Sequence, residues 1–200
     1  MLIEIFSKKF IKEYFNRNKI LILLSATIFI VSILIGAIFH NTFQAFATEI
    51  IKKMIEEIPL NSVSESAIGL FMNNVKANLI IIFGGLFFSI LSTFSMIVNG
   101  ILIGYVFTLT NPLVFFVGIA PHGIFELTGI VLSLTGAFII TKMEIRIIQA
   151  LFRRNLRNEL ENVKISVMDL IFTIIVSIIL IIIAAIIEAA ITPILLNMVI

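Results

Sequence analysis

Apolar residues run unbroken along most of this chain, and charged ones gather in a few short stretches. Residues 20–48, 77–125, 127–141 and 170–187 contain no Asp, Glu, Lys or Arg. Crossing a hydrocarbon core takes about 20 apolar residues of helix, and several of these runs reach that length. The apolar/polar alternation of a lipid-facing β-barrel is absent. In lipid a helix satisfies its own backbone groups, so the pattern predicts an all-α, polytopic transmembrane bundle in a single membrane domain.

The polar interruptions divide the chain. Residues 1–19 place Ile3, Phe6, Phe10 and Tyr14 on one helical stripe beside Lys8, Lys9 and Lys12. Two readings stand: an amphipathic helix on the cytoplasmic surface, or a continuation of the first span into water. Residues 20–39 form that span. Ala45-Phe46-Ala47 has the small-x-small form of a signal-peptidase site, but the apolar run is about twice a usual signal core, so a retained helix is expected. Residues 40–76 are the least hydrophobic stretch and include Pro59 and the turn-like Asn61-Ser62-Val63-Ser64. Within them Phe43, Phe46, Ile50, Met54 and Ile58 predict a short amphipathic helix on the far side.

Region 77–141 is too long for two spans and fits three. Turn-like pairs at Asn99-Gly100, Asn111-Pro112 and Pro121-His122-Gly123 divide it into 77–97, 101–119 and 124–141. The first and third of these could instead be breaks inside the membrane, as in transporters with discontinuous helices. Residues 142–166 form a basic amphipathic segment, with Arg146, Arg153, Arg154 and Arg157 opposite Ile145, Ile148, Leu151 and Leu156. It reads as binding anionic headgroups or, alternatively, docking a cytoplasmic partner. A last span covers 168–190. The division gives about five spans, and basic residues at 1–19 and 142–166 place the N-terminus in the cytoplasm and the C-terminus outside.

Composition sharpens this picture. The 200 residues are 60% hydrophobic and 13% charged, about half the charge of an ordinary soluble domain, with a mean hydropathy of +1.18. The formal net charge of +2 sits beside apolar runs, so it marks membrane sidedness and not nucleic-acid binding. With no cysteine, disulfides, thiolate zinc sites and thiol catalysis are excluded.

Between residues 73 and 137 the pattern becomes specific. Asn74 precedes an apolar run with Gly84-Gly85; then come Asn99-Gly100 with Gly104, Pro121-His122-Gly123-Ile124-Phe125-Glu126-Leu127, and a glycine-dotted stretch through Gly129 and Gly136. The arrangement resembles the stage II sporulation protein M family of integral membrane proteins. The resemblance implies a membrane scaffold, which in spore-forming bacteria serves peptidoglycan-degrading partners during engulfment.

Glu126 is the leading candidate residue, because an acid within an apolar stretch costs several kcal/mol unless it is paired or neutralised. His122, four positions earlier, shares its helical face. One reading is a proton or cation site built from Glu126, His122 and Asn99. The other has Pro121 opening a helix at the interface, with Glu126 in its first turn. His-x-x-x-Glu supplies two ligands where catalytic zinc takes three, so no metal site or cofactor is expected. Glu188 is expected to be solvated at the outer interface. Gly100 with Gly104, and the glycines at 84, 85, 129 and 136, are expected to let helices approach closely in the bundle or in a homodimer, with a kink as the other reading of Gly84-Gly85. No phosphate loop, nucleophile elbow or paired catalytic carboxylate set is visible. The expected function is therefore a non-enzymatic scaffold for unidentified membrane or extracytoplasmic proteins, the alternative a small transporter or channel around Glu126.

Overall fold

The computed structural model describes residues 4–56, 63–153 and 156–199. After a single 3-10 turn at Glu4–Phe6 come α1 (Lys8–Ile38), α2 (His40–Glu56), α3 (Val63–Phe83), α4 (Ile90–Leu109), α5 (Pro112–Phe152), α6 (Leu156–Ala190) and α7 (Thr192–Leu196). The described residues contain no strand. Four helices are long and apolar enough to cross a membrane: Lys8–Ile38, Ile90–Leu109, Pro112–Phe152 and Glu159–Ala190. A fifth apolar stretch, Phe71–Phe87, is shorter. The chain is thus a multi-pass membrane bundle. Large apolar side chains such as Ile20, Leu23, Ile80, Ile90 and Phe94 cover its outside, where lipid and not water is the solvent.

The helix ends follow local chemistry. Ser7 accepts from the Phe10 amide at 3.2 Å to start α1, and Asn111 accepts from Leu113 N at 2.9 Å, with Pro112 in the first turn of α5. The expected turn at Asn111-Pro112 is therefore present. The other two expected interruptions are not turns. Asn99-Gly100 lies inside α4, where the Asn99 amide donates to the Ser95 carbonyl at 2.9 Å and keeps the helix intact. Pro121 lies inside α5, which runs through it.

The break falls instead after α3. Gly84–Phe87 tightens into a 3-10 turn, and Phe88 and Ser89 take left-handed φ values of 51° and 57°. Side chains in that conformation cost roughly 1–2 kcal/mol each, and α5 stabilises them. Thr141 donates to the Gly85 carbonyl at 3.2 Å, so Ser89 donates to Thr141 at 2.6 Å. A segment at 77–97 therefore straddles a turn, and helix already begins at Val63, within the stretch expected to be a far-side connection. Pro59 and Asn61-Ser62 lie outside the described residues.

Both basic segments are continuations of long helices. Phe10 and Tyr14 do not face lipid headgroups; they pack on Phe172 of α6, ring centroids 5.8 and 4.6 Å apart. Lys8, Lys9 and Lys12 begin α1 itself. Likewise Arg146 belongs to α5, Arg153 caps its end and Arg157 belongs to α6, so region 142–166 is a helical hairpin and not a separate surface helix. Arg154 lies outside the described residues. Between the hairpin arms, Arg146, Arg153, Glu159 and Asn162 line a polar recess of about 180 Å³.

Helices join through small and polar residues. A Cβ on Gly36 would meet the Ile101 backbone, and one on Gly104 would meet Ile33 O and, at 2.7 Å, Ala37 N. Gly100 abuts Ser32, so the Gly-x-x-x-Gly step packs α4 in parallel on α1 within one chain. Gly85 presses on the Ala137 backbone at 2.7 Å and Gly84 on the Ser92 hydroxyl at 2.7 Å, whereas Gly129 and Gly136 have only ordinary neighbours at 3.4 Å or more. At mid-bundle, Ser133 of α5 donates to the Asn78 side-chain oxygen of α3, and Ser177 of α6 donates to the Gly129 carbonyl of α5 at 3.2 Å. At one end Arg17 holds Asp169 through two bonds, 2.6 and 3.1 Å, and Asn18 adds a third at 2.9 Å. Tyr14 donates to Thr173 at 2.8 Å beside them, because Thr173 spends its own hydrogen on the Asp169 carbonyl.

Gly104→Ala is expected to destabilise the detergent-solubilised protein by about 1–3 kcal/mol, since the opposing atoms are backbone. Gly129→Ala is expected to be near neutral. Thermal unfolding followed by circular dichroism compares the two. Asp169→Asn removes one partner from a buried ion pair and is expected to cost about 3 kcal/mol in the same assay.

Candidate functional site

Uninterrupted helix through Pro121 decides where Glu126 sits. About 21 Å of α5 lie between Pro112 and Glu126, and about 24 Å between Glu126 and Lys142, at the helical rise per residue. Pro121 does not start a helix, so the first-turn reading of Glu126 does not hold. The proline instead deprives the Val117 carbonyl of its intrahelical donor, and Gly123 is buried next to it.

Asn99, His122 and Glu126 come together, as one of the two sequence readings required. They line a recess of about 200 Å³ between α4 and α5, to which Ile51 of α2 also contributes. Its other walls are apolar and include Leu102, Val106 and Ile130. Among the described residues, no Lys or Arg lines it. The Asn99 amide donates one hydrogen to the Ser95 carbonyl, which leaves its oxygen and its second N–H for a polar guest.

Glu188 is the residue sequence reasoning placed elsewhere. It is partly buried, and its carboxylate lies with the His122 imidazole and the Glu126 carboxylate in a cluster whose ligand atoms are all within 4.8 Å of one another. Counting apolar residues from Asp169 put Glu188 at the membrane boundary. The antiparallel pairing of α6 with α5, with Gly129 opposite Ser177 and Ile181, brings it level with Glu126 instead. The available signal was the matched position of the two acids in adjacent apolar runs, but helix register is not visible in one sequence.

The imidazole is fixed from behind. His122 is buried, and its Nδ1 bonds Thr192 Oγ1 of α7 at 3.2 Å, while Thr192 itself donates to the Ile187 carbonyl at 3.4 Å. A hydroxyl has one hydrogen, so both bonds form together only when Nδ1 is the donor. Nε2 is then turned to Glu126, 4.0 Å from Oε2, beyond hydrogen-bond length. Two carboxylates and an imidazole this close need a proton or cation among them for charge balance.

The helix α2 caps this end. Phe43, Ala47, Ile50 and Ile51 form its inner face, with Ala47 fully buried against Leu102 and Tyr105. Thr48 bonds the Tyr105 hydroxyl at 3.2 Å. Phe46, expected on the inner stripe, is exposed, because the register turns toward Ala47. The Met54 side chain and Ile58 lie outside the described residues.

An all-helical, multi-pass bundle with a buried acid cluster beneath an amphipathic cap defines an integral membrane protein. The stage II sporulation protein M family model matches residues 25–193, and the chain belongs to that family. The match runs from the middle of α1 to the start of α7 and includes every residue of the cluster. No curated protein and no solved structure matches the chain.

The absence of native cysteine makes any introduced thiol unique. A cysteine replacing Val106, which lines the recess, is expected to react with a small water-soluble thiosulfonate in the folded protein. One replacing the fully buried Leu134 is expected to react only after denaturation. Mass spectrometry of the two single-cysteine proteins reads the difference.

Proposed function

We propose that this protein is a non-enzymatic membrane scaffold that positions partner proteins through the cap formed by α2, with its N-terminus cytoplasmic and its C-terminus extracytoplasmic. The observation that carries this reading is the division of labour along α2. Its inner face is seated on α4 through Ala47 and Tyr105. Its outer face shows Glu49, Lys52, Lys53 and Glu56 paired only along the helix, at 2.7 Å for Glu49–Lys53 and 4.0 Å for Lys52–Glu56. The Lys53 ammonium holds the Glu49 carboxylate below its ordinary range, and Glu49 raises Lys53 in return, so the face stays charged. A rigidly seated, charged and solvent-facing helix suits recognition by a partner with complementary charge.

The bundle behind it supports the same role. Backbone-to-backbone contacts at Gly36, Gly85 and Gly104 leave little freedom for the rocking motions that alternating access requires. The orientation rests on the basic residues clustered at the end of the bundle opposite α2.

Exchanging charges within each pair (Glu49→Lys with Lys53→Glu, and Lys52→Glu with Glu56→Lys) keeps the helix pairs while redrawing the surface. Proteins that copurify with the wild type from native membranes are expected to be recovered several-fold less well with this variant. Equal recovery from a correctly folded variant counts against contact through α2.

A further inference from the structure

We propose that His122, Glu126 and Glu188 bind one divalent first-row transition-metal ion, with Nε2 and the two carboxylates as ligands. The site would tie α5 to the corner between α6 and α7. It is independent of whether the protein acts as a scaffold.

Four features carry the assignment. The three donors converge from two helices, with all ligand atoms within 4.8 Å of one another. Ligands bonded to a common zinc-like ion at about 2.0–2.2 Å stand a little over 3 Å apart, so side-chain rotations alone close the set. Nδ1 of His122 is occupied by Thr192, which orients the ring and turns Nε2 toward the acids. Backing a metal-binding histidine with a hydrogen bond to its second nitrogen is the usual means of fixing its ring and tautomer.

Among the described residues, neither acid forms an ion pair with Lys or Arg. No Lys or Arg lines the adjoining recess, and the contact between His122 and Glu126 is too long for a hydrogen bond. Finally, the recess of about 200 Å³ leaves room for water to complete the coordination, with Asn99 on its wall. One imidazole and two carboxylates suit zinc, manganese, iron or cobalt better than calcium or magnesium, which prefer all-oxygen shells of six or more ligands.

The test uses the full chain, purified in detergent without a histidine tag and stripped with a chelator. Cobalt(II) is titrated in and followed by its visible absorption, and zinc is then added in competition. The expected result is one cobalt per chain, displaced by zinc. Glu126→Gln and Glu188→Gln should each weaken binding at least about tenfold, while His40→Gln, at the only other histidine, leaves it unchanged. Circular dichroism and gel filtration of the metal-free variants establish that they fold.

Should a variant fail to fold, X-ray absorption of the zinc-loaded wild type decides. A first shell with one imidazole nitrogen supports the site, and an all-oxygen shell overturns it. No saturable binding by the wild type, or undiminished binding by a folded Glu188→Gln, overturns it as well. The cluster would then hold only a shared proton.

Discussion

In lipid, apolar side chains gain little by leaving one apolar environment for another, and every other feature of this bundle follows from that constraint. Helices must be joined by close backbone approach and by polar groups that find each other. Both devices are present, and they act at different heights. Gly36, Gly100 and Gly104 bring α1 and α4 into backbone contact toward one end. Asn78, Ser133 and Ser177 link α3, α5 and α6 at mid-height. The Arg17–Asp169 pair, with Asn18 and Tyr14, fastens α1 to α6 at the other end. The helix α5 touches almost every other element because it carries small or hydroxylic residues on several faces.

What the sequence made readable was whatever depends on counting. Long uncharged runs established the membrane bundle, and the glycine and Pro-His-Gly-x-Phe-Glu pattern established the family. The His122–Glu126 pairing was also readable from its i to i+4 spacing, and Asn99 joined it in one of the two readings. Of the turn positions, Asn111-Pro112 was readable and the others were not. Asn99-Gly100 and Pro121-His122-Gly123 carry strong turn chemistry, yet both lie in helices: in a lipid-facing helix the amide of Asn99 can bond its own backbone. The real break, at Gly84–Ser89, depends on Thr141 in another helix, and no local pattern in residues 84–89 reveals that partner.

Glu188 illustrates the same limit at the site. Its distance from Asp169 along α6 is fixed by sequence, but its height relative to Glu126 is set by which residues of α5 and α6 interlock. Ser177 against Gly129 determines that register. The Ser177 hydroxyl reaches the Gly129 carbonyl at 3.2 Å, while a Cβ at Gly129 would still find ordinary contacts, so the hydrogen bond and not glycine's size fixes the pairing. A packing detail about ten residues away thus turns two isolated acids into one cluster.

The cluster and the cap are mechanically joined. Ile51 lies on the inner face of α2 and also lines the recess that Glu126 and His122 line. Leu102 serves both, packing under Ala47 and facing the same recess. An ion between Glu126 and Glu188 would offset their charge repulsion beneath α2, and losing the ion would restore it. The helix α2 is seated on α4 through Ala47, Ile50 and Ile51 against Leu102 and Tyr105, and through the Thr48–Tyr105 hydrogen bond, so the recess and the charged outer face share one support. The intramembrane acids and the outer charged helix therefore belong to one structural unit at that end of the bundle, and neither is fully described without the other.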